Sequence, residues 1–160
     1  MAIIVGDRMV CALCGKLLEG NEQVFSFPPF VPNVLDPMYQ FSDASFHILC
    51  LNRNSLGHKA MQLANEFIYE THPENRICVT GGNLIKNSDD YIFIDLLTSD
   101  QEDELYQFNF TTLDKNNLKI WSPRHGFLTM AEEFVHKGKW QDIGSFRYLD
   151  TLVSKLSTFY

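Results

Sequence analysis

Cys11-Ala12-Leu13-Cys14-Gly15, followed after a long insert by His47-Ile48-Leu49-Cys50, is the stretch that organises this chain. Two closely spaced pairs of soft donors are how a protein gathers four ligands around one ion, because a two-residue gap lets both members of a pair reach the same metal from a turn. Three thiolates and one imidazole complete a zinc tetrahedron. A closed shell leaves no position for water or substrate, so the pattern points to stabilisation by one structural zinc ion rather than to catalysis. Gly15 supplies the permissive backbone a metal-binding turn uses, with Leu17 and Leu18 then turning inward. His47 and Cys50 are close to one helical turn apart and can face one way from the start of a helix, with Ser42, Asp43 and Ser45 as upstream N-cap candidates.

This arrangement resembles the treble-clef class of zinc modules, in which a Cys-x-x-Cys turn and hairpin deliver two ligands and the first turn of a helix delivers the others. Phe46-His47-x-x-Cys50 also looks like the closing half of a single zinc site in LIM-type modules. The likeness covers roughly residues 8 to 56 and implies a zinc-stabilised subdomain with Cys11, Cys14, His47 and Cys50 as ligands. The alternative is that the cysteines are buried small hydrophobes. A disulfide is disfavoured because no signal-peptide pattern opens the chain. Cys78, within Ile77-Cys78-Val79, reads as a core thiol.

The expected fold class is α+β: a zinc-bound module over residues 1–56 packed on a body over 57–160, made of a small antiparallel sheet with flanking helices. Phe27-Pro28-Pro29-Phe30-Val31-Pro32 reads as an extended loop in the zinc insert, since proline cannot donate to a sheet ladder. Leu56, Ala60, Leu63 and Phe67 recur at helical spacing and predict a helix ending near Thr71-His72-Pro73. Arg76 to Thr80, Tyr91 to Leu97 and Leu105 to Phe110 are strand candidates, with Leu118 to Trp121 a fourth, and short connections favour an antiparallel meander. Thr129-Met-Ala-Glu132 has capping-box spacing and would open a helix stopped by Gly138. Ser145 would cap a last helix whose stripe is Phe146, Leu149, Leu152, Val153, Leu156 and Phe159. No internal repeat is expected.

Charge gives the second functional clue. The net charge is -7, and between Lys86 and Lys115 there is no basic residue, while Asp100, Glu102, Asp103 and Glu104 stand in one short run. Placed at a hairpin tip beside Tyr106, that run would repel phosphate backbones and steer a basic protein partner. Nucleic acid is not expected as a ligand, because the cationic side chains form no continuous tract. No apolar run is long enough to span hydrocarbon, and a cytoplasmic location is expected. No phosphate-binding glycine loop, nucleophile elbow or His-Glu-x-x-His motif is present. The expectation is therefore a non-enzymatic interaction protein, similar in character to bacterial immunity proteins that neutralise basic nuclease toxins. The alternatives are a treble-clef hydrolase or nuclease using His58, and a zinc-dependent transcriptional adaptor.

Overall fold

A computed structural model describes residues 4–5, 8–19 and 23–158. The fold is mixed helix and sheet, with its strands in two-stranded antiparallel pairs. β1 (Ile4–Val5) pairs with β2 (Arg8–Met9), β3 (Val24–Ser26) with β4 (Ser45–His47), and β5 (Tyr91–Ile94) with β6 (Thr111–Asp114). Among the described residues, α1 (Ile48–Arg53) and α2 (Gly57–Thr71) follow β4, and α3 (Arg124–His136) and α4 (Tyr148–Ser157) follow β6.

Several boundaries follow local chemistry. α2 stops at His72, which precedes Pro73 and takes the extended conformation that a following proline imposes. α3 ends at Gly138, whose φ of 69° lets Lys139 N–H reach the Phe134 carbonyl at 3.1 Å while Gly138 N–H reaches Val135 at 2.9 Å, a Schellman closure. Thr129 does not open α3. The helix begins right after Pro123, and the Thr129 hydroxyl donates to the His125 carbonyl one turn back. Ser145 does not cap α4 either. Asp142 anchors that corner, its Oδ1 accepting from Tyr148 N–H at 3.0 Å and from Trp140 Nε1 at 3.1 Å. Leu149, Leu152 and Leu156 are buried as expected, Phe146 stays exposed, and Phe159 lies outside the described residues.

The expected meander is reduced to β5 and β6. Val79 N–H adds a single hydrogen bond to the Thr112 carbonyl, so Arg76 to Thr80 contributes an edge and not a strand. Leu105 to Phe110 falls largely in a 3-10 helix (Glu104–Phe108), and Leu118 to Trp121 in another (Lys115–Ile120). Both are nucleated by an aspartate, Asp103 or Asp114, whose side chain accepts a backbone N–H two residues on, an option that competes with extending a strand.

Two apolar clusters fill the interior. The first gathers Phe27, Phe30, Phe41, Phe46 and Leu51 with Ala60, Leu63 and Ala64 of α2. The second gathers Ile92, Ile94, Leu113, Trp121, Phe127 and Trp140 with the buried leucines of α4. Leu96 and Phe110 from later in the chain are buried in the first cluster with Phe93 packed against it, and Phe67 of α2 meets Phe93 and Phe110 there at ring separations of 5.8 and 6.2 Å.

These clusters belong to two lobes that follow the same path, contrary to the expectation of no repeat. β3 and β4 pair Val24 with His47, Phe25 with Phe46 and Ser26 with Ser45, whereas β5 and β6 pair Tyr91 with Asp114, Ile92 with Leu113 and Phe93 with Thr112. Each residue of the second set stands 67 positions after its counterpart, as from 24 to 91 and from 47 to 114. The same offset carries Asp36, whose carboxylate accepts Met38 N–H, to Asp103, whose carboxylate accepts Leu105 N–H. It carries Tyr39-Gln40-Phe41 to Tyr106-Gln107-Phe108, buried Leu51 to buried Leu118, and the start of α2 at Gly57 to the start of α3 at Arg124. Asp43 and Phe110, the non-glycine residues with positive φ among the described residues, at 53° and 57°, are counterparts too. A phenylalanine in that region is sterically disfavoured, so the shared path, and not the residue, dictates the conformation.

Candidate metal centre

The first lobe brings its four sequence-predicted donors together. Cys11 to Gly15 form a knuckle closed by Gly15 N–H on the Cys11 carbonyl and Cys11 N–H on the Lys16 carbonyl, both at 2.8 Å. Gly15 has φ 69°, the conformation that turns the chain back sharply. Ala12 N–H binds the Ser45 carbonyl at 3.1 Å, which docks the knuckle on β4. His47 closes β4 and Cys50 sits in the first turn of α1. Ser42, Asp43 and Ser45 do not cap that helix: Ser42 Oγ accepts from Val31 N–H, and Ser45 Oγ bonds Ser26 Oγ. Leu18 packs on the core as expected, but Leu17 does not turn inward and is exposed.

The donor atoms of Cys11, Cys14, His47 and Cys50 all lie within 4.8 Å of one another. His47 Nδ1 is 3.5 Å from Cys14 Sγ and 3.8 Å from Cys50 Sγ. A tetrahedral ion bonded at about 2.0 Å to nitrogen and about 2.3 Å to sulfur separates its ligands by about 3.5–3.8 Å, so the spacing suits a single metal. His47 Nε2 lies 3.2 Å from the Leu17 carbonyl. A carbonyl only accepts, so Nε2 carries the proton and Nδ1 offers its lone pair to the cluster, the outer contact that fixes a metal-binding imidazole.

The thiols differ sharply. Burial raises Cys11, but N–H groups of His47, Cys14 and Leu13 outweigh it and hold the thiol at about 6. Cys50 is pushed up to about 11 by burial and by the facing sulfurs of Cys14 and Cys11. One thiolate is thus stabilised by the fold itself and the next is opposed by it, which is the condition a divalent cation relieves.

The corresponding place in the second lobe is built differently. Cys78 stands where Cys11 stands, and its knuckle closes by the same two bonds, Gly82 N–H to the Cys78 carbonyl at 2.8 Å and Cys78 N–H to the Asn83 carbonyl at 2.9 Å. The other three ligand positions hold Gly81, Asp114 and Asn117. Cys78 Sγ accepts from Gly81 N–H, Asp114 N–H and Asn117 Nδ2 at 3.3–3.5 Å. Asn117 Nδ2 also donates to Asn83 Oδ1 at 3.1 Å, and Asn83 Nδ2 to Asp114 Oδ2 at 3.0 Å. Burial raises the Cys78 thiol, but Asn117 and the surrounding N–H donors bring it below the ordinary value. The expected core thiol is indeed buried, in a polar setting the sequence reading did not anticipate.

The acidic run is not a hairpin tip, because the chain between β5 and β6 folds back through a 3-10 helix. Asp103 is largely covered and ion-paired with Lys139 at 2.8 Å. Asp100 Oδ1 accepts from Glu102 N–H, and Asp100, Glu102 and Glu104 are exposed. Tyr106 is half-buried, its hydroxyl 3.5 Å from Gln101 Nε2. His58 is exposed on the first turn of α2, and its imidazole forms no hydrogen bond among the described residues.

One carboxyl escaped sequence reasoning. Asp95 is half-buried against a cavity of about 360 Å³ walled by Pro29, Val31, Pro32, Tyr39 and Phe146. Its N–H donates to the Tyr148 hydroxyl at 2.8 Å. Burial drives its carboxyl up to about 7, opposed only by a hydrogen bond from Tyr148. Nothing near Asp95 in sequence marks it, since the walls come from residues far along the chain.

No protein-family model matches the chain, and no curated protein or solved structure matches it. No helix among the described residues is long and apolar enough to cross a membrane.

Proposed function

We propose that this chain is a zinc-stabilised, non-enzymatic protein that acts by binding a basic protein partner. The observation that carries the reading is the exposed acidic edge. Asp100, Glu102 and Glu104 share a groove of about 310 Å³ with Glu133, Lys137 and Lys139; Lys137 is paired with Glu133 and Lys139 with Asp103, so Asp100, Glu102 and Glu104 supply the carboxylates of that groove outside its ion pairs among the described residues. The edge is held rigid from below by the Asp103–Lys139 pair and by Lys59 Nζ on the Ser99 carbonyl at 2.6 Å. Fixed like charges of this kind accelerate encounter with a cationic surface and disfavour nucleic acid. A basic nuclease-type toxin, neutralised by an immunity function, is the partner class that fits this charge.

Zinc is the ion that best suits three thiolates and one imidazole in a closed tetrahedron, and the turn, hairpin and helix that deliver them support a treble-clef assignment. A closed set assigns the ion to stability and leaves contact, not turnover, to the surface.

The test compares wild type with Asp100→Asn/Glu102→Gln/Glu104→Gln for binding to a basic nuclease-toxin domain across a salt series. Asp103 stays intact because it serves the fold. At least tenfold weaker binding and a flatter salt dependence are expected in the variant. Equal affinity and an equal salt slope would remove the acidic edge from the mechanism.

A further inference from the structure

We infer that the second lobe is a metal site dismantled in place: positions 78, 81, 114 and 117 form a second ligand quartet in which only Cys78 keeps a sulfur donor, the work of an ion being done by amide hydrogen bonds.

Each of the four positions stands 67 residues after a member of the first quartet, from 11 to 78, 14 to 81, 47 to 114 and 50 to 117. Sequence offset alone would be weak, but the supporting backbone bonds repeat atom for atom. The Cys11–Lys16 and Gly15–Cys11 bonds recur as Cys78–Asn83 and Gly82–Cys78. The docking bond from Ala12 to Ser45 recurs as Val79 to Thr112, and the bridge between Val10 and Leu17 recurs between Ile77 and Leu84. Gly15 and Gly82 share their left-handed backbone, at φ 69° and 67°. The sulfur of Cys11 is cradled by N–H groups of His47, Cys14 and Leu13, and that of Cys78 by those of Asp114, Gly81 and Thr80, the same three positions in each lobe.

Side-chain directions agree as well. A Cβ added at Gly81 would run into the Asn117 amide and Asn83 Oδ1, so position 81 points at position 117 as Cys14 points toward Cys50. Loss of the sulfur and imidazole donors at 81, 114 and 117 would leave a buried sulfur facing the Asp114 carboxylate and the Asn117 amide. Asn117, Asn83 and Asp114 satisfy one another there, which keeps a buried polar group from the cost of an unmade bond. The lobe therefore holds its knuckle on β6 without an ion.

The experiment rebuilds the quartet in the full chain with Gly81→Cys/Asp114→His/Asn117→Cys and counts metal by zinc analysis and cobalt(II) titration, reading the thiolate-to-cobalt absorption. Wild type is expected to bind one equivalent and the triple variant two, with near-ultraviolet signals of Trp121 and Trp140 retained. A folded triple variant that binds no more metal than a wild type holding one equivalent, or two equivalents in wild type, overturns the inference. None in wild type with one in the variant would overturn the metal reading of the first lobe while upholding this one, and none in either would end both. Should the triple variant fail to fold, Cys78→Ser decides: it should keep one equivalent, and loss of metal on that change overturns the inference.

Discussion

The two lobes run the same knuckle, the same hairpin register and the same following helix, yet one closes on four metal donors and the other on a sulfur and three polar side chains. The difference separates what a metal does from what the path does. The path is common, so it is fixed by features both lobes share: the positive-φ glycine, the Asx turn at Asp36 or Asp103, and the buried leucine at 51 or 118. Where three sulfurs meet, thiolates would oppose one another, the condition that a divalent ion would relieve. At the same place in the second lobe the Asp114 carboxylate and the Asn83 and Asn117 amides satisfy one another without an ion.

The largest test of this contrast is removal of metal. Zinc-binding energy of structural sites is folding energy of about 10–16 kcal/mol in small modules. Chelation, or Cys50→Ser, is therefore expected to strip amide-exchange protection from residues 10–53 while protection over 77–120 persists. Equal loss in both lobes would show that the second depends on the first's ion.

Paired core truncation comes next. Leu51 and Leu118 are both buried, at 0% and 2% exposure. Leu51→Ala with metal bound and Leu118→Ala should each lose about 2–5 kcal/mol in denaturant titration. A much smaller loss at Leu51 would mean that the ion masks core packing in its lobe.

A pH comparison follows from Asp95, whose counterpart in the first lobe is Pro28. Its carboxyl sits at about 7 in the fold against an ordinary 3.8. An acid raised on folding adds stability fully below the unfolded value, and that contribution is lost as pH rises toward and through 7. Asp95→Asn should therefore raise the melting temperature relative to wild type at pH 8 and give no gain at pH 3.5. A gain independent of pH would assign the effect to something other than ionisation.

The smallest effect is expected at the amide network itself. Asn117→Ala removes a donor to Cys78 Sγ and to Asn83 Oδ1 and should cost about 1–2 kcal/mol, with bound metal unchanged. A change in zinc content would contradict the division of labour between lobes.

Much of this was legible in the chain. The donor quartet could be read because ligand chemistry imposes spacing, and α2 and its stop at Pro73 because periodicity and proline act locally. The 3-10 segments at Glu104–Phe108 and Lys115–Ile120 were not, since Asp103 and Asp114 redirect residues whose composition favours strand. The repeat left a faint trace, Tyr-Gln-Phe at 39–41 and again at 106–108, with Cys-x-x-Cys-Gly answered by Cys-x-x-Gly-Gly. Three of four ligands had changed in the second copy, so the motif that exposed the first lobe was blind to its partner.

The sequence by itself determined the Cys/His donor quartet, the acidic run and the helix of α2, because each rests on residue types whose chemistry acts at short range. Tertiary structure alone decided that Asp103 is tied to Lys139 while Glu102 and Glu104 face solvent, that Asp95 is half-buried beside Tyr148, and that Cys78 occupies a ligand's place. Those outcomes depend on which distant segments meet. Pairing and burial between residues tens of positions apart are set by the summed packing of the whole chain, which no local pattern records.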